Sequence, residues 1–563
     1  MEGTAVVVHG AGGLTFESRL LNIPTEVLDD ILEHVPKEDL FTLSTTCSTL
    51  RNLLTPKLFP RTLKIYIWTA IHDWRNGIHH FSYPAKQCEQ GYLDDRKTER
   101  IIGAPAGCLR HVTEFRVIDD AHSHDRFCAK IKHKGLKRPD EVLLTIILRK
   151  LGAEAKGLNT IVIPRNIPIR MFATILESAP NLRTLEAGIE SRAFYRESRN
   201  KKPYESLLAA CTSLKLEQLK FNFSDTVLIQ GILRTIERCS NTVQNLSIKG
   251  GFWQEISFDG LENFNLDEPK LRPKMRFSSL ERLQIQMAGK FGGDFASWLL
   301  HLAEDFKKLS FLALWGGQDT QGLMEYILDN GARIQSLQLL TVGAEVDKVA
   351  EELRMSRVIE KMDHIHTLQL SEFHDWDMGT IYSHRHTLKR LWINCHELHS
   401  LAAGETCPVG DELFRHQIDK YPFTKDKWPN LEELAVPYLG IDELPLHEGI
   451  RVLRIEHLYD INDNHKDYES ILRPYVSRLV KYAAPSKPNL EVIVIMPESF
   501  GRDNKLDPCY LCIDYEADGI HIETRMYMSY LLQKSSWSYL FQEQARGRMW
   551  DDRGIWADKK PYH

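Results

Sequence analysis

The chain reads as α+β overall: a small all-α N-terminal unit, followed by an irregular α/β array of short strands and helices stacked as a solenoid. Three observations carry that expectation. Apolar residues between positions 20 and 54 recur three and four apart. From residue 112 onward one strand-like signature, apolar-x-x-apolar-x-apolar, keeps returning, and helical patterns lie between several of its copies.

The N-terminal unit opens with "LLNIPTEVLDDILEHV". Pro24 suits the first turn of a helix, where its missing N–H costs nothing, and Thr25, Glu26 and Asp29 suit the positive helix start. Val27, Leu28, Ile31, Leu32 and Val35 fall on one stripe. Pro36 breaks the pattern, and "PKEDL" turns the chain into a second helix that places Leu40, Leu43, Cys47, Leu50 and Leu54 three and four apart. "TPKLFPRTLKI" ends it and leads into an extended segment. A unit of about 45 residues without a disulfide or metal set seldom stabilises itself, so its apolar faces need cover from another domain or another protein.

Composition narrows the classes. At 563 residues the chain is long enough for two to four domains or one extended array. A formal net charge of −6 gives no electrostatic reason to expect nucleic acid or an anionic membrane as the main ligand. The first residues carry Glu2 where a secretory signal would carry a base, and no apolar run reaches the ~18 residues of a membrane span. Ten scattered cysteines suit a reducing compartment, so the expected location is cytoplasmic and/or nuclear.

The stretch "LNIPTEVLDDILEHVPKEDLFTLSTTCSTLRNLL" resembles an F-box. Ile23-Pro24, Glu26, Val27-Leu28, Ile31-Leu32, Asp39-Leu40, Leu43, Cys47 and Leu50 stand at the places of that pattern. "TPKLFPRTLKI" is similar to the exit common in fungal members. Ser48 and Thr49 depart from it where many members carry a base, and Leu50 replaces a frequent Trp. The resemblance implies docking on a Skp-type adaptor and, through it, a cullin–RING ubiquitin ligase, with Pro24, Val27, Leu28, Ile31, Leu32, Leu40, Leu43, Cys47 and Leu50 as candidate adaptor contacts. Some of these must face the inside of the helical unit. In helix-in-groove recognition a polar substitution at Leu32 or Leu40 would cost about 2–4 kcal/mol. The competing reading makes these helices a cap on the domain that follows.

Copies of the signature include "VTEFRV" at 112, "LNTIVI" at 158, "LEQLKF" at 216, "VQNLSI" at 243, "LERLQI" at 280, "LSFLAL" at 309, "IQSLQL" at 334 and "IHTLQL" at 365. They continue as "LKRLWI" at 388, "LEELAV" at 431, "IRVLRI" at 450 and "LEVIVI" at 490, with a weaker copy, "LRTLEA", at 182. The last two apolar residues alternate with a polar one, as a half-buried strand requires. Helical patterns lie in "IPIRMFATILESAPNL", "DTVLIQGILRTIERC", "DFASWLLHLAEDFKKL" and "GLMEYILDNGARI". The alternation resembles a leucine-rich-repeat solenoid, a horseshoe whose strands line a concave face. The Asn or Cys of regular repeats is mostly absent, with Glu190, Ser224, Gly251 and Ala288 in its place, so the curvature is expected to be uneven. The alternative is an ordinary α/β domain whose buried strands read alike.

Polar insertions interrupt the array at 86–107, 121–140, 190–206 and 262–277; the second and third are locally basic and suit solvated loops or contact with an acidic or phosphorylated peptide. The expected division is a flexible tail over 1–18, an F-box over 19–63, the solenoid over 64–500 and a capping segment over 501–563. Tyr530, Trp537, Tyr539 and Phe541 would pack in that cap. Strand positions Gln284, Gln286, Gln338, Gln369, Trp392 and Asn394 are candidate target contacts on the concave side.

Bond chemistry finds little support. "VVVHGAGG" does not complete a dinucleotide fingerprint, since Thr15 holds the place of the third glycine, and no G-x-S-x-G elbow exists. His122, His124, Cys128 and His133, and Cys509, Cys512 and His521, are incomplete as tetrahedral metal sets. The F-box resemblance then implies a non-catalytic receptor of a ubiquitin ligase acting in ubiquitin-dependent degradation, with no cofactor and an unknown protein substrate. A ligase-free interaction scaffold is the alternative.

Overall fold

The computed structural model describes isolated positions of the N-terminal helices between 27 and 54, then 61–71, 92–93, 101–123 without 105, 140–189 without 168, 214–223, 235–250, 275–286, 303–315 and 320–340. It continues with 356–371, 378–394, 416–437, 442–458, 467–483, 486–497, 509–516 and 519–525.

Copies of the signature become strands because each alternates an inward apolar residue with an outward one. In chain order the strands begin with β1 (Thr62–Ile71), β2 (Tyr92–Leu93), β3 (Glu114–Ser123), β4 (Thr160–Ile167), β5 (Thr184–Ile189), β6 (Gln218–Phe223) and β7 (Asn245–Gly250). Next come β8 (Met275–Arg276), β9 (Arg282–Gln286), β10 (Ala303–Glu304), β11 (Phe311–Trp315), β12 (Ser336–Leu340), β13 (Thr367–Ser371) and β14 (Arg390–Asn394). The last are β15 (Glu433–Pro437), β16 (Val452–Leu458), β17 (Val492–Pro497), β18 (Cys509–Glu516) and β19 (Gly519–Arg525).

Seventeen of these strands share one sheet. From β1 and β3 through β17 each pairs in parallel with the next in chain order, β8 and β10 standing apart as a sheet of two. Beta-2 flanks β1 antiparallel, and the hairpin β18–β19 closes the other end antiparallel to β17. The register is set by the apolar positions: Leu219 stands opposite Leu246, Leu246 opposite Leu283, Leu312 opposite Leu337, Leu368 opposite Leu391. All are buried in one continuous core, so a slip of one residue would turn the whole apolar set outward.

A backbone device repeats at every step. The carbonyl just before each strand accepts two N–H groups from the start of the next: Asn159 from Arg183 (2.8 Å) and Thr184 (2.9 Å), His366 from Lys389 (2.8 Å) and Arg390 (3.0 Å). The first apolar residue of the signature then donates back into a tight turn, as Leu280 does to Phe277 (3.0 Å) and Leu309 to Phe306 (2.9 Å). Phe277 and Phe306 stack with ring centres 5.6 Å apart, extending the core one row beyond the strands.

Helices pack behind the sheet. They include α1 (Asp140–Glu154), α2 (Ile169–Ser178), α3 (Thr320–Asp329), α4 (Met378–Ser383) and α5 (Asp467–Ala483). Alpha-1 buries Leu144, Ile147, Leu148 and Leu151 at three and four spacing. Gly152 lets it approach α2, since a Cβ there would lie 2.3 Å from the Ser178 side chain. Alpha-3 ends through Gly331 at φ +93°: its N–H reaches the Leu328 carbonyl (2.9 Å) and that of Ala332 the Ile327 carbonyl (3.2 Å). The next strand signature begins three residues later at Ile334.

Several expectations need correction. The end of the helical pattern "DFASWLLHLAEDFKKL" is strand β10: the Glu304 carbonyl is taken by the Phe277 N–H (2.9 Å) and that of Ala303 by the Tyr326 hydroxyl, leaving neither for a helix. The insertion placed at 86–107 supplies Ile101 and Ala104 to the core, where Lys150 Nζ holds the Ile102 carbonyl (2.8 Å). The one placed at 262–277 likewise contributes Met275 and Phe277. Alpha-1, α4 and α5 form where no helix was anticipated. Alpha-5 contains Pro474, yet it buries Leu472, Tyr475, Val476 and Leu479 as one stripe, and that burial outweighs the lost N–H.

Candidate interaction surfaces

The face of the sheet opposite the strand leucines has two halves. In the first, β1 to β9, the described side chains are exposed or half-buried and, Val162 apart, polar. Thr62 Oγ1 donates to Glu114 Oε2 (2.7 Å) and Arg116 pairs with Glu114. Lys220 Nζ lies 2.8 Å from Glu186 Oε1, and Ser247 Oγ donates to Gln284 Oε1 (3.3 Å). Desolvation works to raise the Glu114 pKa, but the Thr62 hydrogen bond and the Arg116 guanidinium outweigh it and hold the carboxyl below the usual range.

In the second half the same register row is covered. Gln338 is 3% exposed, Gln369 4% and Trp392 8%, while Ala435, Arg454 and Val494 beyond them are buried too. The Arg454 guanidinium stands 5.2 Å from the Trp392 ring centre, a cation over an aromatic face. Gln338, Gln369 and Trp392 therefore sit on the anticipated face but are not the exposed contacts expected of them. Gln284 is half-buried between half-buried Ser247 and buried Ala313; the side chains of Gln286 and Asn394 lie outside the described residues.

The N-terminal helices show the complementary arrangement, an apolar residue pair left open. Val27 and Ile31, four apart and hence on one helix face, are 48% and 47% exposed. Leu32, Leu40 and Leu54 are buried, and Leu43 is half-buried. At the entry to β1 the Arg61 carbonyl accepts the Thr113 N–H (2.9 Å) and the Glu114 N–H (3.0 Å), the first step of the backbone device. Residues 20–61 match the F-box domain family.

The match spans under a tenth of the chain, and no curated protein matches it. F-box domains in general bind a Skp-type adaptor within cullin-based ubiquitin ligases. Within this F-box, Val27 and Ile31 are the described candidates that present apolar surface outward. Leu32 and Leu40 pack inside the chain, so a polar substitution at either acts first on folding. Pro24, Leu28, Cys47 and Leu50 lie outside the described residues, as do "VVVHGAGG" and Tyr530, Trp537, Tyr539 and Phe541.

Among the described residues no group of three His, Cys, Asp or Glu is placed to hold a metal, and no helix is long and apolar enough to cross a membrane. The histidines that matter structurally were not singled out by motif. His384 Nε2 donates to the Ile359 carbonyl (3.0 Å), and His447 Nε2 to the Trp428 carbonyl (2.9 Å), each reaching back across one repeat. Their signal was present in "HRHTLKRL" and "HEGIRVL", where His384 stands four residues and His447 three residues ahead of the first signature residue.

Proposed function

We propose that this chain is the substrate-recognition subunit of an SCF-type ubiquitin ligase, of the fungal-type F-box and leucine-rich-repeat kind. Its F-box, residues 19–63, binds a Skp-type adaptor through a surface that includes Val27 and Ile31. The region 64–500 is an irregular leucine-rich-repeat-like solenoid that holds a protein target on its open face, and 501–563 caps it. The observation that carries this reading is the F-box match at 20–61, with an apolar pair open on its helix. The parallel strands following in chain order, each contacting its neighbours, support the solenoid. The Arg61 carbonyl, at the last residue of the match, is tied to the start of β3, which supports a fixed distance between adaptor and target. The chain then carries out no bond chemistry: it raises the local concentration of target lysines around a ubiquitin carried elsewhere in the complex. Turnover of the target would take place in the cytoplasm or nucleus.

The test is co-purification with the host's Skp-type adaptor. Capture by wild type, loss in a Val27→Asp, Ile31→Asp variant of unchanged melting temperature, and recovery of cullin with the wild-type complex are expected. Failure of the wild type to capture adaptor overturns the reading and leaves the helices as a cap. Adaptor without cullin points to a ligase-free scaffold.

A further inference from the structure

We infer that His447 is a proton-sensitive clip between the β15 and β16 repeats, whose protonation loosens that end of the sheet and the seat of Arg454 over Trp392. The argument begins with the two ring nitrogens. A carbonyl only accepts and a backbone N–H only donates, so the Trp428 carbonyl at 2.9 Å requires a proton on Nε2, and the Gly449 N–H at 3.0 Å requires a lone pair on Nδ1. One neutral tautomer satisfies both. A second proton on Nδ1 would face the Gly449 donor head-on and break the tie.

The surroundings oppose that proton as well. His447 is 1% exposed. A Cβ on Gly449 would meet both Lys425 Nζ (2.6 Å) and the His447 ring (2.9 Å), so the ammonium and the imidazole crowd one glycine. The charged groups facing the ring are Lys425, from the chain ahead of β15, and Glu448 beside it; Lys425 opposes a positive ring and Glu448 favours it. Burial, the largest influence, lowers the proton affinity, and the net direction is downward.

The repeat context turns this into a device. The Trp428 carbonyl held by Nε2 also receives the Leu431 N–H (3.2 Å), at the turn that starts β15, and the His447 carbonyl receives the Ile450 N–H (3.2 Å) at the turn that starts β16. One imidazole thus ties two consecutive strand starts. Opening the tie restores the ordinary proton affinity of the ring, so acid favours the open state. His384 makes a similar reach to Ile359, but Glu360 and Asp363 face it and both favour its charged form, which makes it the less acid-sensitive of the two.

Hydrogen–deuterium exchange of the full chain at pH 7.5 and 5.5, corrected for intrinsic exchange, tests this. Protection over 447–455 should fall about threefold or more at the lower pH, while 160–189 stays level. Lys425→Gln, at an exposed position, should shrink that loss, because it narrows the gap between open and closed proton affinity. His447→Gln, which keeps a donor and an acceptor, should abolish it. Equal protection at both pH values in wild type, or a loss unchanged by Lys425→Gln, overturns the inference; the lysine variant keeps the test decisive if His447→Gln does not fold.

Discussion

The two halves of the sheet are built from the same signature and bury the same leucine ladder, yet their outward rows differ. From β1 to β9 that row is polar and partly open, with charges neutralised by neighbours, as in Glu186 with Lys220. From β11 to β17 it is covered, and polar groups such as Gln338, Gln369 and Arg454 are held inside. The difference teaches that a repeat pattern specifies the inner face only. The outer face is free to stay open or to become buried, and this chain does one in each half.

The sharpest way to break that contrast is to truncate one outward residue in each half. Trp392→Ala removes a buried indole and leaves Arg454 without its aromatic partner, and should cost about 3–5 kcal/mol in urea denaturation. Lys220→Ala should cost less than about 1 kcal/mol, because its partner Glu186 remains in contact with water. Similar losses at the two positions would mean that the halves are not energetically distinct.

That contrast also marks how far the sequence could be read. The strand positions were legible because Φ-x-x-Φ-x-Φ is a local pattern, and Leu185, Leu283 and Leu391 face inward as the period of two demands. The helical spacing of Val27, Ile31 and Leu32 was legible for the same reason. Trp392 and Gln369 were misjudged as exposed because packing across strands, such as Arg454 and Ala435 against Trp392, leaves no mark on a strand's own alternation. Alpha-5 was missed because Pro474 argues locally against a helix that tertiary burial nonetheless sustains. Leu32 and Ile31 are adjacent in one apolar stripe, and only packing decides that one is inside and the other outside.

Acid should separate the halves next. The ordinary histidine value of about 6.5 applies to the unfolded chain. Burial holds His447 and His384 below it in the fold, so between the two values the unfolded state binds more protons and stability falls as pH drops below about 6.5. In the first half Glu114 is held low instead, so its contribution persists until pH falls through the carboxylate range. Exchange protection measured from pH 7.5 to 5 should therefore decline first around β14 to β16. A decline beginning at β3 would reverse the assignment.

The smallest effect on stability should accompany a large effect on recognition. Reversing Lys220 to Glu places two carboxylates across the β5–β6 ladder where an ion pair stood, which for half-exposed groups costs on the order of 0.5–1 kcal/mol and less at high salt. The same change inverts the sign of a charge on the half of the face proposed to receive the target, and like charges across an interface are costly to a partner selected for the original pattern. Lys220→Glu should therefore weaken capture of a target more than tenfold while the melting temperature moves by only a few degrees, and Glu186→Lys in the same chain should restore the ion pair and the stability without restoring capture. Target binding that survives both changes would move the recognition surface off this half of the sheet.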